Sequence, residues 1–317
     1  MGAGLLGYTI RRLLWAIPVL FAVSIIVFYL LRLAPSDPVD AILGRNFYTE
    51  EQAQRLREKY GYDEPIHIQY IKYMKNLFQG DPGLSVKHRD FDLTEYLLPK
   101  IWVSTQLNFW ALLITFTVGI PVGIYAAMAR GTFVDPLTIG SWLTLDAIPT
   151  FVLAPIVQWL FILKFGIFGL TYEGVYSANM LLPILVTALP GVAGVARLMR
   201  ASVIGVLGED YVRTARAKGL RQSTIVFTHI TRNALLPMVT VIGLSLPGIT
   251  AGSLFVENAF GIPGIGPTAF EAAITPDYDV MLALVLFGSV LFVLANVVVD
   301  VVYGFIDPRV RVGRARG

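Results

Sequence analysis

Ile10-Arg11-Arg12-Leu13-Leu14-Trp15-Ala16-Ile17-Pro18-Val19-Leu20-Phe21-Ala22-Val23-Ser24-Ile25-Ile26-Val27-Phe28-Tyr29-Leu30-Leu31-Arg32-Leu33 is an apolar run that carries charge only near its two ends. As a helix rising 1.5 Å per residue, it spans a hydrocarbon core of about 30 Å. A secretory signal also begins with basic residues ahead of an apolar stretch, but its apolar part is shorter. Pro35-Ser36-Asp37-Pro38, which follows, is not a small-x-small cleavage site. The run therefore reads as an uncleaved membrane helix.

Composition extends that reading to the whole chain. Of its 317 residues, 55% are hydrophobic and only 15% charged, and the mean hydropathy is +0.65, outside the range of soluble globular domains. Five more apolar stretches follow: Gln106 to Ala129, Pro136 to Leu163, Met180 to about Ile204, Ala234 to Val256 and Met281 to Tyr303. Backbone groups in lipid find partners only within a helix or a closed barrel, and barrel-type alternation is absent, so an all-α membrane protein of six spans is expected. The chain has no cysteine, which excludes thiolate catalysis, disulfides and cysteine metal sites, and His67, His88 and His229 lack metal-ligand spacing. No metal site is expected, and a net charge of +3 gives no reason to expect a nucleic acid partner.

Residues 34–100 are polar and form a segment outside the membrane. Thr49 with Gln52 predicts a capped helix over residues 50–60 that Gly61 ends. Tyr70, Tyr73, Met74, Leu77 and Phe78 predict a second helix near residues 68–79 whose apolar stripe packs against a neighbour. Gly80-Asp81-Pro82-Gly83 reads as a turn. Residues 101–308 form the core, and 309–317 a basic tail.

Basic residues fall on one side of a six-span arrangement. Arg11 and Arg12, Arg130, the seven basic residues Arg197, Arg200, Arg213, Arg216, Lys218, Arg221 and Arg232, and Arg309, Arg311, Arg314 and Arg316 alternate with loops dominated by Glu173, Glu257, Glu271, Asp277 and Asp279. The positive-inside rule then places both termini in the cytoplasm. Prolines at 121, 149, 155, 183, 190 and 247, with glycines at 119, 123, 191, 194, 243 and 248, interrupt the spans. They suit helices that bend as a path opens, or equally ordinary close packing in a membrane. Asp146 is the one acid placed deep in a span. It reads either as a residue of a substrate path or as a buried polar group satisfying carbonyls that Pro149 frees. Asp300 reads as a solvated or Arg-paired residue near a helix end.

About three dozen residues join the fourth and fifth spans, where a short turn would suffice. Within this loop, about residues 205–233, a short helix is expected over 209–218. Glu209, Asp210, Arg213 and Arg216 fall on one side and Tyr211, Val212 and Ala215 on the other. The expected local support is a Glu209–Arg213 pair, acids at the positive helix end, Lys218 near the negative end and Gly219 as left-handed cap. The small Ala215–Gly219 side leaves room for another surface to approach. The competing reading is a linker whose charges only set topology. A further helix is expected from Gln222 through Asn233 into the fifth span.

Asp210-Tyr211-Val212-Arg213-Thr214-Ala215-Arg216-Ala217-Lys218-Gly219, followed by His229-Ile230-Thr231-Arg232-Asn233-Ala234, resembles the E-A-A-x-x-x-G loop of ABC-importer permeases in the form found in the dipeptide, oligopeptide, opine and nickel group. Arg213 and Thr214 replace the Glu and first Ala of the general motif, and Arg232 stands where many such permeases have Pro. Arg11-Arg12-Leu13-Leu14, Gly80-Asp81-Pro82-Gly83-Leu84-Ser85, Ile148-Pro149-Thr150-Phe151-Val152 and Phe260-Gly261-Ile262-Pro263-Gly264-Ile265-Gly266 extend the resemblance over nearly the whole chain. It implies a type I ABC importer permease fold in a prokaryotic cytoplasmic membrane. It also implies a non-enzymatic subunit whose Glu209, Asp210, Tyr211, Arg213, Ala215, Arg216 and Gly219 contact a cytoplasmic ATPase. The implied partners are two ATPase subunits, a second homologous permease and an extracytoplasmic solute-binding protein, with ATP and Mg used by the ATPase and no cofactor on this chain. Consistent with that division, the sequence has no G-x-x-x-x-G-K-[ST] phosphate loop. An ion-coupled secondary transporter using Asp146 is the alternative class.

Overall fold

The spans fold as helices because lipid offers backbone groups no other partner. The computed structural model describes residues 2–33, 39, 43, 48–85, 91–275 and 277–306. Pro35-Ser36-Asp37-Pro38, the basic tail from Arg309 and the side chain of Asp300 lie outside what is described. In chain order the elements are α1 (Gly2–Arg32), α2 (Glu50–Tyr60), α3 (Ile66–Phe78), a two-residue antiparallel pair β1 (Leu84–Ser85) and β2 (Phe91–Asp92), and α4 (Leu93–Met128). There follow α5 (Val134–Asp146), α6 (Thr150–Gln158) running on as a π-helical turn (Trp159–Lys164), α7 (Leu181–Leu207) and α8 (Asp210–Ala217). The chain then forms α9 (Gln222–Ala234), α10 (Leu236–Ser245) with a 3₁₀ extension (Leu246–Thr250), α11 (Leu254–Ala259), α12 (Ile265–Ile274) and α13 (Tyr278–Ile306).

Among the described residues, four helices are long and apolar enough to cross a membrane: Thr9–Arg32, Leu93–Met128, Ala178–Leu207 and Tyr278–Val299. The expected count of six holds when two bent pairs are each taken as one span. These are Val134–Asp146 with Thr150–Lys164, bent by 93°, and Gln222–Ala234 with Leu236–Thr250, bent by 49°. The third span is thus not the single helix that Pro136 to Leu163 suggested. Pro149 has no N–H to continue the ladder and adopts ψ 139°, so the Leu145 carbonyl accepts from Ile148 instead. The fifth apolar stretch also departs from expectation, leaving the helix at Thr250 rather than Val256.

The chain divides into two compact units, residues 1–104, 250–254 and 263–317 in one and residues 105–249 and 255–262 in the other. In the first, α2 begins at the expected capping box. Thr49 N–H donates to Gln52 Oε1 at 2.9 Å and Gln52 N–H to Thr49 Oγ1 at 3.4 Å, and Gly61 closes the helix at φ +69°. The stripe of α3 packs as expected. Tyr70, Tyr73 and Leu77 lie against Phe28, Leu282 and Leu286, and Tyr70 Oη shares a 2.8 Å hydrogen bond with Ser24 Oγ. Phe78, at the end of the stripe, is 74% exposed but its ring lies 6.2 Å from that of Phe21 on α1. Arg32 lies 3.6 Å from Asp279 and over the Tyr62 ring. Burial pushes the Tyr62 phenol well above its ordinary range, so it presents a neutral ring to that guanidinium.

In the second unit, α7 passes close to α4. A Cβ on Gly119 would stand 2.8 Å from Val195 Cγ1, and one on Gly123 would run into the Ala196 carbonyl and stand 2.7 Å from Met199 Cβ. Gly191 lies equally close to Thr115, whose hydroxyl donates to the Ala188 carbonyl at 3.2 Å. Gly194 and Gly248 have open space. These glycines therefore divide: Gly119, Gly123 and Gly191 permit close approach, whereas Gly194 and Gly248 do not serve it. Gly123→Ala is expected to cost about 1–3 kcal/mol through overpacking against backbone that cannot retreat. In a detergent melt it should lower the melting temperature, whereas Gly194→Ala should leave it unchanged.

Candidate coupling site

Eight residues of α8 make two turns, too short to hold a helix in water on local interactions alone. The sequence suggests a self-supporting helix; the structure corrects this. Val212 is fully buried and Ala215 nearly so, in a cluster with Val195, Met199 and Val203 of α7, Ile225, Ile230 and Ala234 of α9, and Met238. Burying the valine alone contributes roughly 1.5–3 kcal/mol. Ala215 is consequently not a small surface left open to another protein. It is a small residue that lets α8 sit down on its own subunit.

The remaining residues point outward. Glu209, Asp210, Arg213, Arg216, Lys218 and Gly219 are exposed, and Tyr211 is 40% exposed. Glu209 stands at the N-cap with extended backbone and no side-chain cap bond. The ion pair on this face joins Arg213 to Asp210 at 3.7 Å, three residues apart, in place of the expected Glu209–Arg213 pair. Both partners are highly exposed, so the pair adds little to stability. Gly219 takes φ +73° as expected. Its N–H donates to the Arg216 carbonyl at 3.0 Å, and Leu220 N–H reaches Ala215 at 3.4 Å.

Beyond Gly219 the chain enters α9, whose middle, Ile225–Ile230, is π-helical. The widened turn buries Ile225 and Ile230 and leaves Phe227 72% exposed. Tyr211 and the 41%-exposed Leu220 set apolar groups in and next to the charged face. The exposure of Phe227 has no signal in the sequence, where an aromatic residue near a span reads as part of it. π-helical turns are rare and occur often at functional sites.

Asp146 is the last residue of α5, at the 93° bend, and half-buried. Its side chain makes no hydrogen bond or ion pair to other described residues. An acid at the negative end of a helix dipole is unfavourable, so it is not a helix cap. It shares no hydrophobic cluster with the residues of α8. A second acid, Asp135, lies at the opposite end of the same helix and is buried against Arg200. Position alone did not mark it, since it precedes the apolar stretch. Gly261, in the glycine-rich stretch outside the spans, turns the chain at φ +60°.

Residues 119–312 match the sequence family described as binding-protein-dependent transport system inner membrane component, and residues 5–91 match the family of its N-terminal part. The oligopeptide transport system permease protein OppB of Haemophilus influenzae is 34% identical over 308 residues, covering 97% of this chain and all of its own. AppB of Bacillus subtilis, also an oligopeptide transport system permease protein, is 32% identical and covers 96% of this chain and 98% of its own. The dipeptide transport system permease protein DppB of Escherichia coli is 32% identical, with 97% and 99% covered. Among solved structures, a chain of the MetNI methionine ABC transporter shares the fold at a TM-score of 0.52 and 18% identity, covering 69% of this chain and 95% of that one. The chain therefore belongs to the family of binding-protein-dependent transport system inner membrane components, as a multi-pass permease subunit rather than an enzyme.

Proposed function

We propose that this permease forms half of the transmembrane path of an ATP-driven importer for dipeptides, oligopeptides or a related small solute. The solute arrives on an extracytoplasmic binding protein. Two cytoplasmic ABC ATPase subunits, which bind and use the ATP and Mg, drive this chain and a second, homologous permease; this chain itself holds no cofactor. Both termini and α8 lie in the cytoplasm. The observation that carries this reading is the two-sided character of α8, with Val212 and Ala215 fixed in the subunit and a charged face that includes Tyr211 left outward. A surface anchored from behind passes a push inward, whereas a loop held only at its ends absorbs it. Coupling further requires that the ATPase contact this face differently in its two states. The peptide solute is supported by the names of the relatives. Family membership removes the support for an ion-coupled carrier.

Reversing charge in Arg213→Glu/Arg216→Glu is expected to lower co-purification of the ATPase about tenfold while membrane insertion stays intact, since the exposed face carries charge complementarity and no fold. Equal recovery of the ATPase with this variant would sink the assignment of α8. Uptake of a labelled tripeptide by cells carrying the assembled complex tests the solute class, and insensitivity to excess unlabelled dipeptides and oligopeptides would exclude it. For Asp146→Asn the expected result is slower uptake at unchanged complex abundance. A loss of folded protein instead would assign the carboxylate a structural role.

A further inference from the structure

Asp135 lies in the first turn of α5, and Arg200 lies on α7 just before it reaches α8. The guanidinium donates twice to the carboxylate, Nε to Oδ1 at 2.6 Å and Nη2 to Oδ2 at 2.6 Å. Asp135 retains 8% side-chain exposure and Arg200 31%. A forked pair of this kind fixes orientation as well as distance. It is a poor source of stability, because a buried ion pair is commonly no better than a well-packed apolar pair of the same volume. What it supplies here is geometry.

Its surroundings say what that geometry serves. Met199, the residue before Arg200, packs in the cluster that holds Val212 and Ala215 of α8. Ser202 Oγ donates to the Ala234 carbonyl at 2.8 Å, at the last residue of α9 before its 49° bend. On α4, Gly123 abuts Ala196, Met199 and Arg200. The stretch 196–203 of α7 is thus tied to α4, α8 and α9, and its charged tie goes to α5. That helix is a rod of 13 residues, roughly 20 Å long at 1.5 Å per residue. Its far end is Asp146 and the 93° bend.

We propose that the Asp135–Arg200 pair is the positioning link that carries a displacement of α8 through α7 into α5, and so to Asp146 and the bend at residues 147–149. This inference rests on the reading of α8 as the ATPase contact. Apolar side chains between two membrane helices carry no hydrophobic driving force, since lipid is as apolar as they are, and they fix no charge-specific register. A bidentate charge pair does not slide, so rotation or translation of α7 must move the first turn of α5. In this proposal the bend is the element whose arrangement the link would switch.

The chain has no cysteine, so Ala147→Cys gives this subunit a single thiol beside the bend. In the full complex in proteoliposomes, its rate of maleimide labelling is followed with and without ATP and vanadate. Trapping is expected to change the rate, and Asp135→Leu/Arg200→Met is expected to shrink that change about tenfold, while the ATPase still co-purifies and still hydrolyses ATP. Arg200→Lys keeps the charge and loses the fork. It should shrink the change several-fold, and it decides the matter if the double variant does not fold. A full nucleotide-dependent change in either variant overturns the link, as does its absence in the Ala147→Cys parent. Failure of the ATPase to co-purify with that parent would instead strike the reading of α8, and the link with it.

Discussion

The approach of α7 to α4 is the constraint on which the second unit depends. Where Gly119 and Gly123 face Val192 to Arg200, the two backbones come closer than any side chain would permit. Without a hydrophobic driving force between helices in lipid, such contact must be held by dispersion and by polar groups that already have partners. Thr115, reaching the Ala188 carbonyl close to Pro190, is one such group. Because α7 is fixed against α4, its other faces become a reference surface. Met199 and Val203 can then seat α8, Ser202 can hold the end of α9, and Arg200 can reach Asp135.

This arrangement resolves a conflict in the short helix. A surface that contacts a soluble partner must be polar, yet two turns of polar helix do not persist unaided. Val212 and Ala215 supply the missing stability from a narrow inner face, and the outer face stays free to carry charge. The exposed Arg213–Asp210 pair then has little structural duty. The same separation governs Gly219. Its left-handed conformation stops the helix and redirects the chain into α9, which returns Ile225 and Ile230 to the cluster beneath α8.

What was legible in the sequence was what local chemistry decides. Thr49 and Gln52 announce a capping box, Gly61 and Gly219 announce left-handed stops, and the Tyr70–Tyr73–Leu77 spacing announces a packed stripe. What was not legible depends on which neighbour a side chain meets. Ala215 reads as an open small face until the cluster of α7 and α9 residues is placed behind it. Phe227 reads as part of a span until the π turn carries it outward. Asp135 sits just outside an apolar stretch and passes for a solvated helix start, because its partner is 65 residues away. The prolines show the same limit. Pro149 ends a helix while Pro155 and Pro190 lie within helices, and composition treats all three alike.

The difference among these prolines bears on how such a chain can change shape. A proline removes one donor, and the cost in a membrane depends on whether the carbonyl left behind finds another. At Pro149 the Leu145 carbonyl takes the Ile148 N–H and the helix closes off in a tighter turn. The backbone therefore turns by 93° with that carbonyl satisfied. The regular ladder is already interrupted at Pro149, so a change of angle there meets less resistance than in a continuous helix, and what holds the two helix ends gains weight. For α5, the tie at its start is a charge pair on the same helix that seats α8. Pro149 makes the bend possible, and the placement of α7 then bears on its angle from a distance through the first turn of α5.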